Sequence, residues 1–171
     1  MEQVINSGLI NAVMPNGPAA KPVNVDNLPF AVVRDTGFGP KKKKGTPSVR
    51  VTFNRPPRGT EFTDFLKKLA SYYEHKVRYQ MFFEPKNIGI GALVHVPSLV
   101  RYMRDYEEQH RAYLVRTAVY TRSEAVKAFI TATFKIKTPV SEIKVFNDKT
   151  EAYNYMGWAD QVRKAMKARR A

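Results

Sequence analysis

The chain has 171 residues, and 43% of them are apolar, including ten Phe, nine Tyr and one Trp. That is one domain's worth with enough hydrocarbon for a real core, which excludes disorder over most of the length. Lys and Arg number 29 against 15 Asp and Glu, and the net charge of +14 favours polyanionic partners.

There is no cysteine, so disulfides, thiol nucleophiles and cysteine-ligated zinc are excluded. No apolar run approaches the roughly 18 residues of a membrane span, and the first residues lack a signal-peptide pattern. The expectation is a soluble, intracellular protein.

Residues 1–48 hold six of the eleven prolines, a spacing that blocks long helices and favours extended chain. Residues 1–27 read as an extended Pro-rich arm, and residues 28–171 as one α/β domain. Leu28–Arg34 is a short apolar run that fits a first strand. The stretch GFGPKKKKGTPSVR, a basic linker over 37–48, then leads to Val49, Val51 and Phe53, which alternate with polar residues as a strand requires. After RPPRG, a helix over Thr60–His75 places Phe62, Phe65, Leu66, Leu69, Tyr72 and Tyr73 on one stripe.

Val77–Glu84 is the next strand, apolar on both sides at Met81, Phe82 and Phe83, as a buried central strand should be. A glycine-bearing loop follows, and Pro97 opens a helix to His110 with Leu99, Val100, Met103 and Tyr106 inward. Tyr113–Thr121 is a strand, and Thr121 with Glu124 suits a capping box for a helix over Ser123–Thr133, with Val126, Phe129 and Ile130 inward. Glu142–Asn147 is the last strand. Asp148 and Glu151 repeat the capping signature before a terminal helix over Thr150–Lys167.

This alternation predicts a mostly parallel sheet of four to five strands with about four helices, with room for one antiparallel pair at its start. The features of residues 116–155 add a resemblance. They are an Arg-bearing apolar strand at Arg116–Thr121, a helix at Ser123–Phe134, a strand at Ile143–Phe146, and Glu151–Ala152 with Tyr155. Together they resemble the second half of the SpoIIAA-like, or STAS, superfamily, and with the upstream elements the resemblance covers about residues 28–160.

The resemblance implies a STAS-like α/β sandwich. Regulatory members carry an Asp-x-Ser-Gly type sequence where the central strand meets its helix, and phosphorylation of that Ser breaks partner docking. Here the segment is FFEPKNIGIGALVHVPS, with Glu84 near the Asp position and Ser98, which reads as a helix cap, as the hydroxyl at the helix start.

Little else points to chemistry. His75, His95 and His110 lack metal-ligand spacing, G-x-S-x-G is absent, and the Gly-x-Gly of NIGIG has neither a third glycine nor a Walker lysine. Asp105, Glu107 and Glu108 lie among Arg101, Arg104 and Arg111 at helical spacing and read as solvated pairs. The expectation is a protein that is no enzyme and needs no cofactor or metal.

The basic clusters, Lys41, Lys42, Lys43 and Lys44 in the linker and Arg163, Lys164, Lys167, Arg169 and Arg170 at the C-terminus, are candidate polyanion contacts. The C-terminal set also complements a helix dipole. For the linker a solvated basic hinge, a phosphate contact and a nuclear address signal all stay open.

Val4, Ile5, Leu9, Ile10, Val13 and Met14 are candidate anchors through which the arm grips neighbouring protein subunits. A non-enzymatic structural or adaptor protein of a large assembly, such as a virion shell or ribosome-like particle, is the leading expectation. A basic nucleic-acid-binding protein, nuclear or virion-associated, is the second. A STAS-like regulatory module, or one holding a small lipid or other apolar ligand between helices and sheet, is the third.

Overall fold

The computed structural model describes residues 23–38 and 45–170. They form an α/β fold with six strands and six helices: β1 Val23–Asn27, β2 Ala31–Thr36, β3 Ser48–Phe53, α1 Glu61–Ser71, β4 Tyr79–Pro85, α2 Val96–Asp105, α3 Glu107–Tyr113, β5 Leu114–Tyr120, α4 Glu124–Ile136, β6 Glu142–Phe146, α5 Lys149–Tyr155 and α6 Ala159–Arg170. The strands lie in chain order, β1-β2-β3-β4-β5-β6. β1–β2 and β2–β3 pair antiparallel, while β3–β4, β4–β5 and β5–β6 pair parallel.

The sheet is therefore mixed and six-stranded rather than mostly parallel with four to five strands. The added strand, β1, comes from residues 23–27, which the sequence reading gives to the arm. It pairs along its whole length with β2, from Val23 opposite Thr36 to Asn27 opposite Val32. Alternating valines supply the β pattern, but β1 is too short to declare itself without its partner.

β4 is an interior strand, as its apolar character on both sides predicts, and Tyr79, Gln80, Met81, Phe82 and Glu84 are all buried. It starts later than expected because Val77 is outside the sheet and 38% exposed.

Each parallel step moves one strand onward through a helical connection, and crossovers of constant hand then lay α1 to α4 on one face. The core on this first face joins Val49 and Val51 of β3 and Tyr79 and Met81 of β4 to Phe62, Phe65, Leu66 and Leu69 of α1. The second face is covered by α5 and α6, where Phe82 and Ala118 meet Ala152, Tyr153, Met156 and Val162.

Two long predicted helices are each divided. The helix predicted from Pro97 breaks at Tyr106 (φ −114°, ψ 23°), whose ring stacks on Tyr73 at 5.7 Å. The terminal helix breaks at Met156–Trp158, where Gly157 takes φ +71°, the left-handed conformation that glycine enters without penalty. The helix caps divide similarly. Asp148 caps α5 as expected, accepting from the N–H groups of Thr150 and Glu151. For α4 the cap is Ser123, which accepts from the Val126 N–H, and Thr121 instead accepts from the Ser123 N–H. His95, not Ser98, occupies the N-cap position of α2.

Candidate functional site

α4 carries its apolar residues on one side, as its sequence dictates, yet only Val126 and Thr133 are buried. Phe129, Ile130 and Phe134 stay half-buried, while α4 packs on α2 and on the 3₁₀ turn Ile90–His95. Between α4 and the sheet lies a cavity of about 190 Å³. Its floor is Met81 and Phe83 of β4, Val119 of β5 and Ile143 of β6, and its roof is Phe129, Ile130 and Phe134. Protein interiors are normally packed so closely that few voids exceed one water molecule. This one is larger, and nearly all of its lining is hydrocarbon.

Aromatic rings line one end. Phe53 meets Phe65 edge-on at 5.2 Å and stacks on Phe83 at 6.3 Å, while Phe62 meets Phe129 edge-on at 6.4 Å. The other end reaches the α4–β6 connection, where Lys137, Thr138 and Ser141 line it. The Lys137 ammonium donates to Glu107 at 2.5 Å and stays partly exposed. That pair and the Arg111 guanidinium hold the Glu107 carboxyl below the usual carboxylate range.

His110 borders the cavity and is buried among Tyr73 and Tyr102, with ring centroids at 5.6 and 5.2 Å. Burial pushes its imidazole down to about 4 against a weaker upward pull from Glu107, so it is neutral at physiological pH. Tyr73 and Tyr102 share a hydroxyl–hydroxyl hydrogen bond of 3.1 Å beside it, and burial raises both phenols, Tyr73 to about 12. His95 lies against Phe62 with ring centroids 4.8 Å apart. Of the polar groups at this cavity, the Tyr102 hydroxyl and the Lys137 ammonium are held by neighbours.

The second face differs in kind. Glu84, one residue before the end of β4, has its carboxylate only 5% exposed, accepting from Lys149 Nζ at 2.6 Å and Arg50 Nη2 at 3.1 Å, with Lys86 Nζ at 3.6 Å. Burial alone would raise this carboxyl, but the bonds from Lys149 and Arg50 outweigh it and hold Glu84 below its ordinary value. Arg50 Nη2 also donates to the Tyr153 hydroxyl at 2.9 Å. Glu84 thus ties β3, β4 and α5 together.

The proposed arm anchors, Val4, Ile5, Leu9, Ile10, Val13 and Met14, lie outside the described residues, as do Lys41, Lys42, Lys43 and Lys44. Of the C-terminal basic set, Arg163 and Lys167 are exposed on α6, and Arg163 pairs with Asp160. Lys164, Arg169 and Arg170 are on the same helix, but their side chains are not among the described ones. The structure therefore does not bring the two basic clusters together as one described surface.

The sequence reading missed the cavity's sheet-side residues. Val119 and Ile143 carry the ordinary alternation of half-buried strands, and nothing local reveals that a cavity opens above them. Among the described residues no group of three or more metal-ligating side chains occurs, and no helix is long and apolar enough to cross a membrane.

No family model matches the chain, and no curated protein matches it. A solved structure that it resembles is an uncharacterised protein of the DUF3478 family with a SpoIIAA-like fold from Shewanella loihica PV-4. The two are 10% identical with a TM-score of 0.43, over 84% of this chain and 99% of that one.

Proposed function

We propose that the chain is a non-catalytic binding module that holds the hydrocarbon part of a small lipid-like molecule between α4 and the sheet. The observation that carries this reading is the cavity of about 190 Å³ with an almost wholly apolar lining. It exceeds the roughly 150 Å³ of an engineered apolar cavity that takes up benzene. Filling such a space with a ligand recovers dispersion contacts that its lining otherwise lacks. The Lys137–Ser141 end supplies the polar exit where a head group would meet water.

The reading includes the finer assignment of the fold as STAS-like. Its support is the unbroken parallel run β3-β4-β5-β6, together with the fall of Arg116–Thr121, Ser123–Phe134 and Ile143–Phe146 on β5, α4 and β6. A role in a large assembly would rest on the arm anchors at 4–14, and the binding reading does not depend on them.

The test is titration of the full chain with a fluorescent fatty acid, alongside Ile143→Phe, which fills the floor. The proposal expects saturable one-to-one binding that Ile143→Phe weakens at least about ten-fold, the worth of one to two buried methylenes. Equal binding by a folded Ile143→Phe variant would reject it.

A further inference from the structure

The second face carries a different opening, at the amino ends of β3, β4 and β5. It is a cleft of about 400 Å³ with Ser48, Gln80 and Arg116 at those strand ends, Gly37, Gly45 and Thr46 along the β2–β3 connection, and Gly157 and Trp158 from the α5–α6 turn. Its described lining contains no acidic residue and one cation, Arg116; opposite it on β6 stands Glu142, whose carboxyl is held low chiefly by Lys144 and in part by that guanidinium.

A β-bulge places that arginine. Tyr79 stands opposite Leu114, but Gln80 stands opposite Arg116, so Val115 is an extra residue in β5. Bulges re-aim side chains. Without this one, alternation from Leu114 would send Arg116 to the apolar first face. With it, Arg116 shares the second face with Gln80.

The guanidinium is anchored and only part-used. Nη1 donates to the Tyr155 carbonyl at 2.7 Å, and the group lies over the Tyr155 ring at 5.3 Å. Nε is buried with no hydrogen-bond partner. Nε itself is closed to solvent, so the half-buried side chain can offer an anion only its outer guanidinium N–H groups.

The neighbouring groups extend the pattern. The Thr36 and Ser48 hydroxyls bond each other at 2.8 Å, and Gln80 holds the α5–α6 turn by donating to the Met156 carbonyl at 3.1 Å. Trp158 is braced on Phe82 and Tyr153 at 5.3 and 5.7 Å. Rigid aromatic wall, fixed guanidinium, hydroxyl pair and amide are the groups that take a base on one side and a phosphate on the other. The volume is within the usual range for small-molecule sites.

We propose that this cleft binds a nucleotide unit, with Arg116 on its phosphate and Trp158 against its base. The unit is either a free mononucleotide or one residue of a single-stranded nucleic acid. This site is separate from the apolar cavity and stands or falls independently of it.

Trp158 is the one tryptophan in the chain, so intrinsic fluorescence reports on this cleft directly. The full chain is titrated at low salt with thymidine monophosphate, a short oligothymidylate and uncharged thymidine. The expected result is saturable Trp158 quenching by the monophosphate, the oligomer or both, and at least about ten-fold weaker response to thymidine. Tighter binding of the oligomer with a steep salt dependence identifies a strand as the source, and equal affinities identify the free nucleotide.

Arg116→Gln should weaken binding about ten-fold or more. Because that change also removes the bond to Tyr155, Thr46→Glu provides the second arm. Thr46 is exposed, and a carboxylate there should repel the phosphate without altering melting. No saturable quenching by either phosphate, thymidine binding as tightly as its monophosphate, or a folded Thr46→Glu variant that binds like the parent would overturn the proposal.

Discussion

The two faces of one sheet are packed on opposite principles. The first is hydrocarbon under four helices, yet a cavity remains between helices and sheet. The second has only α5 and α6, but Phe82 is fully buried there and a buried carboxylate holds two cations within hydrogen-bonding distance. A surplus of apolar residues does not by itself give tight packing.

The comparison breaks most directly at paired aromatic positions. Phe82→Ala should cost about 3–5 kcal/mol in urea unfolding, since it empties a filled site between Tyr153 and Trp158. Phe129→Ala should cost clearly less, because that ring already borders open space. Equal costs would mean that the two faces are equally well packed.

Glu84→Gln comes next, at roughly 2–3 kcal/mol near neutral pH, because Arg50 and Lys149 lose their charged partner while staying partly hydrated. The folded carboxyl lies below its unfolded value. Its stabilisation is therefore present above the unfolded pKa and is lost as pH falls through the folded one. The wild-type and Glu84→Gln unfolding curves should converge in acid, and a constant gap would contradict the assignment.

On the first face His110 predicts a pH effect of similar sign at a higher pH. Its imidazole sits at about 4 in the fold against 6.5 when unfolded, so below 6.5 the unfolded chain takes up a proton that the folded chain refuses. Stability should fall by up to roughly 3 kcal/mol between those values, and His110→Phe should flatten that slope.

Asp148→Ala should cost the least, about 1 kcal/mol for the lost α5 cap. A larger loss would mean that this cap also positions Lys149 against Glu84.

What was legible in the chain was local. The α1 stripe, the central place of β4 and the Asp148 cap all follow from spacing and side-chain type, and all are found. The cap expected at Thr121 falls instead on Ser123, whose backbone has the extended conformation a cap needs (φ −80°, ψ 120°). The break at Gly157 had its signal in the glycine. The break at Tyr106 had none, because it accompanies packing of that ring on Tyr73, a residue brought close only by the fold. The same holds for the cavity and for the bulge at Val115, both of which depend on how separate elements meet.

The most direct test of the central claim is methyl NMR of the full chain titrated with dodecanoate. The account predicts saturable shifts at Val119, Val126, Ile130 and Ile143, with Ile90 and Val94, which are 62% and 73% exposed, unmoved. Shifts confined to those two surface residues, or no saturable shift in the floor and roof, would contradict a ligand beneath α4.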